Sequence, residues 1–524
     1  MLMNLKITLT SFLFIFSLRV FSQPTFHKAY GGNAEDRGYS VQQTTDGGYI
    51  IAGFTKSFGS GNSDVYLVKT DSAGDTLWTK VYGGIDEDVA NYVQQTGDGG
   101  YIVAGYTYSF GAGVQDIYVL RTNSTGDTLW TKTYGGIDYD WAYHVEQTND
   151  GGYIIFGTTS DFSGTSVKAY AIKTDPSGTP VWSKTYFNNT GCWGYSARQT
   201  SDGGYIFSGY LGSNILLLRT DSLGDTLWTK TWAAVGANYD GSDVIQTADG
   251  GYLVGGCSFL GAGSVDVCLV KTDAAGDTLW TKLYGGIYFD NVTSLQQTID
   301  GGYLAAGVTH SFSGGGYSDA YLIKINSAGD TLWTKRYGGF YLDGEYSGAR
   351  QTSDGGFIIG TTTGMPGSDY DMYLVKTDST GNTTCRQNMT QTFVSSPPLA
   401  LVTPSITVSS AALASQSASG AISSGAIITT FCSDFPTEIT AANNPDRIIS
   451  LFPNPASHEL RILSAAFKIE TIGVYTLIGE EVSVMRTGSK SHEETIDVSN
   501  LPAGMYFVKV SAKDFSTSEK FIRE

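Results

Sequence analysis

The sequence is poor in cysteine, in basic residues and in long apolar runs, and each shortage closes a route. Five cysteines among 524 residues cannot staple a chain of this size, so a packed core must hold the fold. Lys and Arg number 32 against 50 Asp and Glu, a net charge of −18, and so acidic a surface would be repelled by nucleic acid and by anionic membranes. The five histidines show no metal-ligand spacing. Neither Cys-x-x-Cys, Gly-x-Ser-x-Gly, a Walker-type phosphate loop nor Gly-x-Gly-x-x-Gly occurs, so no standard redox, hydrolase or nucleotide motif is available. The one apolar run, Ile7 to Leu18, is broken by Thr8, Thr10, Ser11 and Ser17, and it falls short of the roughly 20 residues that span a bilayer. With Lys6 before it and Val20-Phe21-Ser22 after it, residues 1–22 read as a signal peptide, and no transmembrane segment is expected.

What is plentiful is glycine, 66 residues, and tyrosine, 33, a mix that suits short strands joined by tight turns. The turn Asp-Gly-Gly followed by an aromatic recurs at Asp46, Asp98, Asp150, Asp202, Asp249, Asp300 and Asp354. Its spacing is near 50 residues, the period of propeller blades rather than of solenoids. Each unit reads as four strands, in the first repeat Tyr39 to Thr44, Tyr49 to Thr55, Asp64 to Thr70 and Thr76 to Tyr82. Asp-Gly tolerates positive φ and joins strands one and two, while a second Gly-bearing turn at Ser72 to Asp75 joins strands three and four. The expectation for residues 23–384 is therefore an all-β fold, a seven-bladed β-propeller.

The ends of the array test that parse. Trp78, Trp130, Trp182, Trp228, Trp280 and Trp333 mark strand four, but the seventh repeat runs from Gly381 into Asn382-Thr383-Thr384-Cys385 and has no such strand. Phe26-His27-Lys28-Ala29-Tyr30 followed by two glycines matches Trp78-Thr79-Lys80-Val81-Tyr82 followed by two glycines. An N-terminal strand with Phe26 in the Trp slot should close the ring and remove an open edge. The six tryptophans and Phe26 are thereby assigned to packing between blades.

Runs such as Val65-Tyr66-Leu67-Val68-Lys69-Thr70-Asp71-Ser72-Ala73-Gly74-Asp75-Thr76-Leu77-Trp78 resemble the strand-turn-strand-Trp units of quinoprotein-type propellers over residues 24 to 384. The resemblance concerns fold. With seven blades rather than eight and no visible set of quinone ligands, no cofactor is expected, and calcium on scattered Asp and carbonyl oxygens is the open alternative.

Residues 385–445 shift to Ser, Thr and Ala and read as a linker or small module. From 446 to 524, alternating apolar positions between Gly, Pro and Asn turns suggest a small β-sandwich. Phe452-Pro453-Asn454-Pro455-Ala456, the strand end Tyr475 to Gly479, the hairpin Leu501-Pro502-Ala503-Gly504-Met505-Tyr506 and the ending Lys520-Phe521-Ile522 closely resemble the type A C-terminal sorting domain of the bacterial type IX secretion system. The resemblance implies export through the periplasm, engagement of the type IX secretion machinery, and release or anchoring at the cell surface.

Function should sit on the face carrying the longer loops. Those loops offer Asp88, Tyr139, Asp140, Trp141, Trp193, Tyr288, Asp290 and Tyr341 as ligand-binding candidates. Aromatic faces suit sugar rings and carboxylates suit hydroxyls, so a glycan or a cell-surface protein is the expected ligand. The alternatives are a secreted glycoside hydrolase or lyase, for which Asp343 and Glu345 are the acid pair that departs from the repeat, and a structural or adhesion component. Cys257 and Cys268 fall on neighbouring strands as either a disulfide or two small buried residues, and Cys385 with Cys432 would close the Ser/Thr-rich segment as a loop if bridged.

Overall fold

The computed structural model describes residues 24–523 except 161–166, 234–242, 259–264, 313–317, 339–343, 345–347, 365–369, 384–386, 434–448 and further short stretches between 390 and 514. The chain forms two compact units, residues 1–434 and 435–524, and every described regular element is a strand.

The first unit is a seven-bladed propeller. In the first blade the strands are Asp36–Gln43, Tyr49–Thr55, Asp64–Thr70 and Thr76–Gly83, paired antiparallel in that order. The Asp-Gly-Gly turn works as its chemistry requires. Asp46 accepts from Thr44 Oγ1 and Gly48 N, and Gly47 sits at φ 84°, where an L side chain is strained. The expected closure is present: Phe26–Gly31 pairs antiparallel with Tyr370–Thr377 of the seventh blade.

Blades are held to their neighbours by one repeated contact. Trp130 crosses the ring of Tyr153 in the next blade edge-on at 5.9 Å, and Phe26 meets Tyr49 likewise at 6.0 Å. Gly178 makes room for this, because a Cβ there would lie 2.9 Å from Trp130 Cη2, and its φ of +77° excludes side chains in any case. Tyr134 Oη donates to Gly178 O at 2.6 Å. The same latch joins Tyr30 to Gly74 and Tyr337 to Gly381, and in the fourth blade Trp232 replaces the tyrosine and donates to Thr278 Oγ1. Between blades the core is continuous: Ile50, Leu67 and Tyr82 of the first pack with Val93, Val103 and Leu120 of the second.

The segment expected as a linker or small module is neither. Its strands Gln387–Met389, Phe393–Ser395, Leu401–Val402, Thr407–Ser410, Ala414–Gln416 and Ala421–Ser423 each add a fifth, outermost strand, to blades six, five, four, three, two and one in turn. Ile427–Ser433 then pairs with Phe26–Gly31, so the closing strand lies between Tyr370–Thr377 and the end of this belt. Main-chain hydrogen bonds make that pairing, which is why a composition poor in aromatics could form it.

The second unit has a three-stranded sheet, Ile449–Phe452, Glu459–Ser464 and Glu493–Asp497, and a four-stranded one, Glu481–Arg486, Thr471–Thr476, Gly504–Ala512 and Phe515–Arg523. Glu459–Ser464 alternates exposed and buried, as a strand with one wet face must. Leu460, Ile462, Ile472, Val474, Val508 and Val510 share one core between the sheets.

The cysteine expectations divide. Cys257 is paired in register with Val267 and Cys268 with Gly256, which turns the two sulfurs to opposite sides of the sheet. Both are buried thiols, as is Cys192, and Cys257 Sγ donates to Asn291 Oδ1 at 3.0 Å. Cys385 and the side chain of Cys432 lie outside the described residues.

Candidate functional site

The inner strand of each blade lines the axis, and a repeated irregularity governs what it presents there. Register shifts between Gly38 and Ser40, Ala90 and Tyr92, Ala142 and His144, Gly194 and Ser196, and Val292 and Ser294 place one extra residue in five of these strands. Such a bulge re-aims its neighbours, so Tyr143 and His144, or Tyr195 and Ser196, both reach the axial cavity.

At the loop-face end of the inner strands, aromatic rings form a run across the third and fourth blades. Tyr139 and Trp141 are near-parallel with centroids 5.6 Å apart, and Trp141 and Trp193 follow at 6.4 Å with 22° between planes. Tyr139 is 40% exposed and both tryptophans are half-buried. Below them Tyr143 and Tyr195 pack at 4.8 Å. Of the expected ligand-binding residues, the structure brings these three together. Tyr288 is exposed on the loop entering the sixth blade, and Tyr341, Asp343 and Glu345 lie outside the described residues.

The loop-face carboxylates are not where the sequence reading put them. Asp88, Asp140 and Asp290 are fully buried. Asp88 Oδ2 accepts from Gly84 N and Ser109 Oγ, both at 2.7 Å, and Asp290 does the same with Gly286 N and Ser311 Oγ. Asp140 accepts from Gly136 N. They cap the loops that enter their blades and offer no oxygen to a ligand at the surface. A side chain on Gly83 would land between Asp64 and Asp88. Burial, with the neighbouring Asp64 charge as a smaller cause, raises the Asp88 carboxyl above its ordinary range. Among the described residues no three His, Cys, Asp or Glu side chains converge to hold a metal ion.

Deeper on the axis lies a charged cluster that the sequence reading did not single out. Asp243 accepts from Ser196 Oγ at 2.6 Å, Arg198 Nη2 at 3.1 Å and the backbone N–H groups of Val244 and Leu295 at 2.8 Å. Arg198 also donates to His144 Nε2 and lies 3.6 Å from Glu146. Arg350 donates to Ser294 Oγ, Ala349 O and Tyr92 Oη. Burial first, then Arg198 and Arg350, lower the His144 pKa well below the usual value and keep the ring neutral. A signal for this cluster exists in the repeat. Where three inner strands carry Gln42, Gln94 and Gln296, others carry Glu146, Arg198 and Arg350, and departures of charge from a repeat consensus mark positions the ring does not need for closure.

With this geometry in view, comparison with known proteins adds the following. Residues 450–524 match the secretion system C-terminal sorting domain family, and the chain carries this type IX secretion tail behind its propeller. The regulatory protein FlaEY of Caulobacter vibrioides is 24% identical over 341 residues, covering 62% of this chain, and the chain spans about 30% of the length of that relative. Among solved structures, a protein of unknown function from Dyadobacter fermentans is 12% identical, covers 68% of this chain and all of its own, and has a TM-score of 0.41. PorZ of Porphyromonas gingivalis, a surface component of its type IX secretion system, is 9% identical over 92% of this chain and 73% of its own, with a TM-score of 0.29. The sorting tail indicates delivery to the cell surface or the medium. No helix among the described residues is long and apolar enough to cross a membrane.

Proposed function

We propose that the protein is a surface-displayed binding propeller whose ligand is a glycan, held by stacking on Tyr139, Trp141 and Trp193, and that residues 1–22 direct it to the periplasm before the type IX machinery takes over. The observation that carries the ligand is the run of near-parallel rings at the axial mouth. Flat apolar faces with polar edges match the alternating C–H and O–H faces of a sugar, and partly exposed aromatics on a rigid scaffold bind without first having to be ordered. Burial of Asp88, Asp140 and Asp290 withdraws three of the acids that a hydrolase would draw on.

The test is retention of the full chain on a panel of soluble and insoluble polysaccharides, with release of new reducing ends assayed in parallel. Retention that falls at least tenfold in Trp141→Ala and Trp193→Ala, without new reducing ends, is the expected result. Release of reducing ends would replace this reading with an enzyme, and retention indifferent to both substitutions would overturn the platform.

A further inference from the structure

The axial cavity has a volume of about 60 Å³ and is lined by residues of all seven blades, the fifth through the carboxylate Asp243 and the others through inner-strand residues that include Tyr92, His144, Ser196, Ser294 and Arg350. That is room for a few waters or one small ion, and too little for a sugar ring. Its lining is rich in donors. His144 is 2% exposed, and because its Nε2 accepts from the Arg198 guanidinium, the ring proton resides on Nδ1. Among the described residues that Nδ1–H has no hydrogen-bond partner, a rare condition for a buried donor.

Arg350 adds charge to the same space. Its acceptors, Ser294 Oγ, Ala349 O and Tyr92 Oη, are all neutral, and among the described residues it makes no ion pair. The nearby acids are committed elsewhere. Both oxygens of Asp243 are taken by Ser196, Arg198 and two backbone N–H groups, while Glu146 accepts from Gln199 N and faces Arg198. Tyr92 Oη meets Arg350, and its ring lies 4.1 Å from that of His144, so the lone cation and the orphan donor border one void.

We propose that the axial cavity is an anion site, taking one small monovalent anion, a halide or a carboxylate no larger than formate, between His144 Nδ1–H of the third blade and the Arg350 guanidinium of the seventh. The anion supplies the acceptor that His144 lacks and the counter-charge that Arg350 lacks. It also ties inner strands from opposite parts of the ring to one point, so its occupancy is felt as stability of the propeller.

The test uses the full chain and two probes, bromide and formate, each titrated against gluconate at constant ionic strength. Gluconate is too large for the cavity and, as a stabilising co-solute, would by itself favour the opposite trend. The expected result is a melting temperature that rises with bromide or formate by about 2 °C per tenfold above the dissociation constant, together with an anomalous peak in the cavity of crystals grown in bromide. A response to formate alone would identify the carboxylate as the occupant; a response to bromide would identify the halide. Arg350→Gln should abolish both the response and the peak. Water alone in the cavity of wild-type crystals at high bromide, with no thermal response to either probe, would overturn the site, and that readout stands even if the variant does not fold.

Discussion

The two faces of the propeller use the same residue, aspartate, in opposite electrostatic settings. On the hairpin face each turn aspartate meets a basic residue from strand three: Asp46 with Lys69, Asp98 with Arg121, Asp150 with Lys173, and so around the ring to Asp354 with Lys376. For Asp150, burial pushes the carboxyl upward, but hydrogen bonds from Lys173, Thr148 and Gly152 N bring it down to about 2. On the loop face Asp36, Asp64, Asp88 and Asp290 are raised chiefly by burial, Asp319, which pairs with Arg336, being the exception there. One set supplies charge balance to buried lysines and arginines, and the other serves as hydrogen-bond acceptors that happen to be ionisable. The hairpin face is therefore built for closure, whereas the loop face holds its loops by caps and leaves its aromatics to meet a ligand.

The contrast can be broken most forcefully through the tryptophans. Trp130→Ala removes the ring that fills the space over Gly178 and against Tyr153, and should cost about 3 kcal/mol by denaturant unfolding. Trp141→Ala, at the loop-face mouth, should cost less than about 1 kcal/mol while abolishing ligand retention. Equal losses at the two positions would erase the division of labour.

Isosteric removal of charge gives a smaller difference. Asp150→Asn leaves the Lys173 ammonium, on a side chain 5% exposed, without its counter-charge. Because Asp150 itself is 63% exposed, solvent screening should hold the loss to about 1 kcal/mol at pH 7. Asp88→Asn keeps an acceptor for Gly84 N and Ser109 Oγ and relieves the burial of a charge, so melting should move by less than about 2 °C in either direction. A loss at Asp88 exceeding that at Asp150 would reverse the assignment.

The finest effect is in pH dependence, where the two faces have opposite signs. The hairpin-face carboxyls are depressed, so their contribution is complete above the unfolded value near 4 and is lost as pH falls towards about 2. The loop-face carboxyls are raised, so their contribution is complete below about 4 and is lost as pH rises through their folded values. Thermal melting across pH 2 to 7 should show Asp150→Asn flattening only the acid limb and Asp88→Asn only the limb above about 4.

The parts of the fold legible in the sequence are those fixed by local chemistry. Asp46-Gly47-Gly48 specifies its hairpin within three residues, and the match of the Phe26 segment to the Trp78 segment discloses the closing strand although its partner, Tyr370–Thr377, is far away in the chain. The belt from Gln387 to Ser433 was illegible because strands held by their main chain need no apolar alternation. The acids of the loop face misled for a related reason: an Asp beside Gly and Ser reads as exposed, yet Gly84 N and Ser109 Oγ draw Asp88 inward. At the site, Tyr139, Trp141 and Trp193 were readable as loop-face aromatics. Arg198 and Arg350 were hidden because each is unremarkable alone and meaningful only as a departure from the glutamines at that position of other repeats.

The belt also sets a timetable. Every blade takes its outermost strand from one late stretch of chain, and the last of these, Ile427–Ser433, lies against Phe26–Gly31 at the other end of the unit. Contacts of such sequence separation make for high contact order and slow completion. Until residue 387 has been synthesised all seven sheets have open edges, and the last of these is not covered until residue 433, a condition in which nascent chains associate wrongly. A cell making this protein must therefore shelter an almost finished ring and not merely its parts.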